Sequence, residues 1–185
     1  MVSQARNPLV DPRLAAALLR VSSVTGAVGV VCLVAMYAAF GAGARNTALT
    51  VGWVSDVSGI VTMPLAVPGM LALHGRIRPH AGRAGDALLV LGLGSSAAIS
   101  VLQLMLVGGA LSFEQEIGPV TVAYLCLGAW FVLSGRVAQR AGVLPGGTRL
   151  GAMAAAFAGY PVWALRLARA IELQPEGAMR GTATA

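Results

Sequence analysis

Apolar residues run through this chain in long blocks, and charged residues fall between the blocks rather than alternating within them. Residues 21–44 carry no charge, and neither do residues 87–113 and 117–135. A further block at 50–74 is interrupted only by Asp56. A helix rises about 1.5 Å per residue, so about 20 apolar residues cross the ~30 Å hydrocarbon layer. Amphipathic helices of a water-soluble domain would instead show an apolar stripe at a period near 3.6, with charges on the opposite face. The blocks predict transmembrane helices at about 21–42, 50–74, 87–112 and 117–136.

A fifth segment is shorter. Residues 150–165 form a run of 16 uncharged positions, which reaches about 24 Å of a ~30 Å core. A span over 150–170 therefore places Arg166 inside the bilayer edge, snorkelling outward or paired, with Tyr160 and Trp163 suited to the interfacial belt at that end. The expected fold is an all-α polytopic transmembrane helix bundle of five spans, or of four if the last segment lies on the surface or re-enters. It forms one domain: a cytoplasmic N-terminal segment at 1–20, the bundle at 21–171 and a flexible tail at 172–185. The first block is longer than the usual 7–15-residue core of a signal peptide, so it is read as a retained span despite the small residues Ala42-Gly43-Ala44.

Composition supports this reading. Of 185 residues, 57% are hydrophobic and 11% charged, against about 25% charged in ordinary soluble domains. The net charge of +6 does not point to nucleic acid, because the 13 basic residues are all Arg and sit between apolar blocks. Arg6, Arg13, Arg20, Arg76, Arg78, Arg83, Arg136, Arg140 and Arg149 fall on one side of the four firm spans, and Arg45 falls alone on the other with Glu114 and Glu116. The positive-inside rule makes the arginine-rich side cytoplasmic, giving a cell-membrane protein with a cytoplasmic N-terminus. Five spans would carry Arg166, Arg169 and Arg180 to the outer side, against the rule.

Charged and polar residues at membrane depth need a reason, since each charge costs at least about 2.5–3.5 kcal/mol on insertion scales. Asp56 is flanked by Ser55, Ser58 and Thr62 along one helical face and shares the next with Gly52, Gly59 and Met63. The third span repeats Gly92, Ser96, Ser100 and Gln103, the fourth Thr121, Tyr124 and Gly128, and the fifth Gly151, Ala155, Gly159 and Trp163 with Arg166 continuing. Small and polar faces turn toward other helices rather than lipid. Counted from the helix ends, Asp56, Gln103, Tyr124 and Arg166 reach one level about 8–12 Å below the outer surface. They predict an outward-facing polar pocket in which Arg166 pairs with Asp56; the competing expectation is that the same groups only hold helices together. Pro64 and Pro68 lie one turn apart in the second span and remove the amide partners of the Ile60 and Pro64 carbonyls, as a hinge or a static kink.

Other chemistry is missing. Cys32 and Cys126 lack paired spacing. His74 and His80 sit beside Arg76 and Arg78 and read as a solvated cytoplasmic loop, without partners for haem or metal. Leu91-Gly92-Leu93-Gly94 lies mid-helix and is no nucleotide loop. No serine nucleophile has a histidine near it, and no paired carboxylates face the cytoplasm, which argues against an enzyme and implies no cofactor.

The order of three short motifs resembles a family of small polytopic bacterial membrane proteins of actinobacterial type, a domain of unknown function. They are Arg-Leu-Ala-Ala-Ala from Arg13, Trp53-Val54-Ser55-Asp56, and Gly142-Val143-Leu144-Pro145 followed by Arg149-x-Gly151. The resemblance covers residues 13–169. It implies a multi-helix membrane fold and no activity.

Three functions compete. The first is a small carrier or binding protein for a lipid-like or small anionic molecule, using the outer pocket and the proline-kinked helix. The second is an accessory or assembly subunit that docks, on itself or on a larger partner, through faces such as Gly151, Ala155 and Gly159. The third is an intramembrane enzyme built on Asp56 and Tyr124, the least supported because no catalytic constellation accompanies them.

Overall fold

The computed structural model describes residues 11–143. Within them the chain is four helices and no strand: α1 (Pro12–Gly41), α2 (Arg45–Ala81), α3 (Arg83–Val107) and α4 (Phe113–Arg140). All four are long and apolar enough to cross a membrane. The four expected spans are present, and the expected fifth, at 150–170, lies outside the described residues together with Arg166.

α1, α2 and α4 outrun the apolar blocks that mark them, whereas α3 stops at Val107, where Gly108 and Gly109 turn the chain, short of the expected end at 112. Asp11 caps α1 by accepting from the Arg13 amide at 2.8 Å, with Pro12 at the first helical position, where no amide donor is needed. Ser112 and Gln115 cap α4 reciprocally: the Ser112 hydroxyl accepts from the Gln115 amide at 3.3 Å, and the Gln115 side chain accepts from the Ser112 amide at 2.9 Å. The inner end of α2 corrects the sequence reading. No loop carries Arg76, Arg78, His74 and His80; all four belong to α2, which reaches Ala81. Gly82 alone separates α2 from α3, at φ +53°, a conformation that favours glycine. His74 is 9% exposed rather than solvated, and its Nε2 lies 3.3 Å from Asp86 Oδ1, which also accepts from Arg78 Nε at 2.9 Å.

The helices alternate in direction, α1 lying along α2, α2 along α3 and α3 along α4, and α2 also touches α4. Small residues set the approach. A Cβ on Gly69 would lie 2.5 Å from the Leu19 side chain, and one on Gly52 would lie 2.6 Å from Met36 Sδ. Hydroxyls join the same pair of helices: Ser22 donates to the Thr62 carbonyl at 2.9 Å, Thr62 to the Thr25 hydroxyl at 2.7 Å and Ser55 to the Gly29 carbonyl at 3.0 Å. Ser55 and Thr62 of the α2 stripe thus bond across to α1, whereas Ser58 donates to the Val54 carbonyl of its own helix at 2.8 Å. Thr62 bonds across to α1 rather than to the carbonyls released by Pro64 and Pro68, and α2 continues through both prolines and Pro79.

Polarity is arranged inside out. Ser22, Ser23, Thr62, Ser95, Ser96, Gln103 and Ser134 are buried beside Leu19, Met70, Leu73, Ile99 and Phe131. Val24, Val31, Val34, Val90, Val101, Leu104 and Leu125 are exposed. Exposed apolar surface continuous over four helices is what hydrocarbon solvates and water does not.

Candidate functional site

The hairpin order sends the ends of the helices to two opposite levels. Arg13 and Arg20 at the start of α1, Arg76, Arg78 and Arg83 at the α2–α3 turn, and Arg136 and Arg140 at the end of α4 share one level. At the other, where α1 and α3 finish and α2 and α4 begin, lies a cavity of about 400 Å³. Every described helix contributes to it: Tyr37 from α1, Asp56 from α2, Gln103 from α3, and Glu116 and Tyr124 from α4. That volume is within the ~300–1,000 Å³ of small-molecule sites.

Three of the four residues expected at one level therefore line one cavity: Asp56, Gln103 and Tyr124. Arg166 falls outside the described residues, and so does its expected pairing with Asp56. Gln103 is 4% exposed and its Nε2 donates to Tyr124 Oη at 3.2 Å. Gly59 makes room for it. A Cβ there would lie 2.7 Å from Gln103 Nε2 and 2.8 Å from its Cδ, so the amide sits directly on the α2 backbone.

Sequence reasoning missed Glu116. Its charge next to Glu114 resembles an outer-loop pair, but the capping box starts α4 before it and turns it inward, where it is 3% exposed. The available signal was its spacing: Glu116, Val120 and Tyr124 repeat every four residues, and all three line the cavity.

The hydrogen-bonding inventory is lopsided. Ser55 spends its proton on the Gly29 carbonyl and Thr121 on the Ile117 carbonyl at 2.6 Å, while the Gln103 amide nitrogen is engaged by Tyr124. Gln103 Oε1 and Glu116 Oε1 are buried without a hydrogen-bond partner. A buried acceptor left unmade costs on the order of 1–3 kcal/mol, so two at one site call for a partner, water or ligand, that the described residues do not supply. No group of three or more His, Cys, Asp or Glu able to hold a metal occurs among the described residues.

Pro64 and Pro68, the candidate hinge, lie deeper in α2 and do not line the cavity. Searches of family models, curated proteins and solved structures give no match to this chain.

Proposed function

We propose that this is a small binding or carrier protein of the cell membrane, which holds a small molecule in the cavity at the end of the bundle opposite the arginines. The observation that carries the reading is the pair of buried, unpartnered oxygens on Gln103 and Glu116 within a ligand-sized cavity. The positive-inside rule puts the arginine level at the cytoplasm and the cavity toward the outside. Access from the bilayer is read as running between α1 and α4, which among the described residues pack less closely with each other than α1 does with α2 or α4 with α3. Pro64 and Pro68 supply a point where α2 can bend and change the width of the cavity. The alternative as an accessory subunit rests on Gly151, Ala155 and Gly159, which lie outside the described residues.

Native mass spectrometry after gentle detergent extraction tests the binding reading. The expected result is one small-molecule adduct per chain. It disappears in Val120→Trp, which fills the cavity from α4, while helicity and elution volume stay as in the parent. A parent chain that flies bare, or an adduct indifferent to Val120→Trp, overturns the reading.

A further inference from the structure

The chemistry of the cavity wall specifies more than a ligand: it specifies the sign of its charge. Among the described residues the lining contains two carboxylates, Asp56 and Glu116, and no Arg, Lys or His. The two carboxylates line one cavity, and where both are ionised they repel each other, a cost that grows as water is excluded. Two of the hydroxyl donors on the wall are turned away, Ser55 and Thr121 pointing their protons at backbone carbonyls, and Gln103 directs an amide N–H to Tyr124. The Tyr37 and Tyr124 hydroxyls and the Trp53 indole N–H also lie on the wall. Acceptors remain, two of them buried and unpartnered, on separate helices that face the same space. Gln103 is uncharged, so its orphan oxygen asks for a donor independently of the carboxylates.

The rest of the wall is hydrocarbon and aromatic. Met36, Phe40, Leu49, Trp53, Leu106 and Phe113 line it. Aromatic faces attract cations as well as apolar bodies. An inorganic ion would leave most of a 400 Å³ space unfilled, and a hard cation needs about six oxygen ligands. An anion would meet two carboxyl groups and unpaired acceptors.

We propose that the cavity takes an amphipathic ammonium ion, a protonated amine whose N–H groups bond Glu116 and Gln103, whose charge balances Asp56, and whose hydrocarbon body lies between α1 and α4. This rests on the reading of the protein as a binding protein and narrows it to a ligand class. It differs from the lipid-like or small anionic molecule expected from the sequence, and Arg166, expected beside Asp56, lies outside the described residues.

Three probes of one size separate the terms: 2-phenylethylammonium, 2-phenylethanol and 3-phenylpropionate, each titrated into the full-length protein in non-ionic detergent and followed by calorimetry. Saturable binding is expected for the ammonium ion. The alcohol should bind at least about tenfold more weakly, the equivalent of roughly 1.4 kcal/mol, and the carboxylate should show no saturable binding. Glu116→Gln and Asp56→Asn should each weaken the ammonium ion about tenfold or more and bring it level with the alcohol. The wild-type comparison stands even if a variant fails to fold. Equal binding of alcohol and ammonium ion, or preferential binding of the carboxylate, overturns the charge assignment. No saturable binding of any probe, with the native adduct still present, overturns the ligand class and leaves the binding reading intact. Loss of the native adduct itself is the separate failure of that reading.

Discussion

Val31→Asp is expected to prevent stable membrane integration of the chain. Val31 lies at the middle of the apolar block 21–42 and is 68% exposed on the outer face of α1. On a water-soluble bundle a polar replacement at so exposed a site changes stability by about 0.5 kcal/mol or less. At the centre of a bilayer the same aspartate costs about 2.5–3.5 kcal/mol on insertion scales. The two environments thus predict opposite outcomes for one substitution. In cells, the share of Val31→Asp protein that resists alkaline carbonate extraction should fall several-fold, while Val31→Leu behaves as the parent. Unchanged integration of Val31→Asp would place that face of α1 against water or against protein.

Gly92→Ala is expected to destabilise the bundle more than any other single methyl group added to α3. A Cβ at Gly92 would lie 2.7 Å from Trp130 Nε1, 2.8 Å from Cε2 and 3.0 Å from Cδ1. The indole is 2% exposed and meets Phe131 edge-on at 5.0 Å, so it has little space into which to retreat. Overpacking of this kind costs about 1–3 kcal/mol. Gly94, two residues on, has nothing within 4 Å of its own Cβ position, and alanine there gains up to about 1 kcal/mol of helix propensity. Thermal unfolding in detergent should show a lowered Tm for Gly92→Ala and an unchanged or raised one for Gly94→Ala. Trimming the ring with Trp130→Phe should return part of the loss. Equal Tm values for the two alanine variants would mean that α3 and α4 do not meet at Gly92.

The spans and the level of the site were legible because both follow from counting. Charge-free blocks of about 20 residues locate the helices, and a fixed rise per residue brings Asp56, Gln103 and Tyr124 to one depth whatever their neighbours. Counting failed where the helix does not stop at the hydrocarbon edge. Backbone hydrogen bonds continue α2 past Arg76 and Arg78 until Gly82 reverses the chain, so His74 became a buried helical residue rather than part of a loop. The same error hid Glu116, since a carboxylate next to a block's end looks solvated unless the capping box at Ser112 is taken as the true start of α4. Contact partners were not legible at all. That Gly59 seats Gln103, or that Gly92 seats Trp130, depends on which helices are neighbours, which the small-residue stripes announce without naming.

The central claim is that four antiparallel helices cross the membrane with the acceptor-lined cavity on the side away from the arginines. Site-directed labelling reads it directly. With Cys32 and Cys126 replaced by alanine, single cysteines are placed at Ala42 after α1, at Ala110 between α3 and α4, and at Ala84 beside the α2–α3 turn. In intact cells a membrane-impermeant maleimide should modify Ala42→Cys and Ala110→Cys at once, and Ala84→Cys only after the membrane is opened. Labelling of Ala84→Cys from outside, with Ala42→Cys and Ala110→Cys protected, would invert the cavity. Labelling of all three in sealed cells would contradict the membrane-spanning bundle itself.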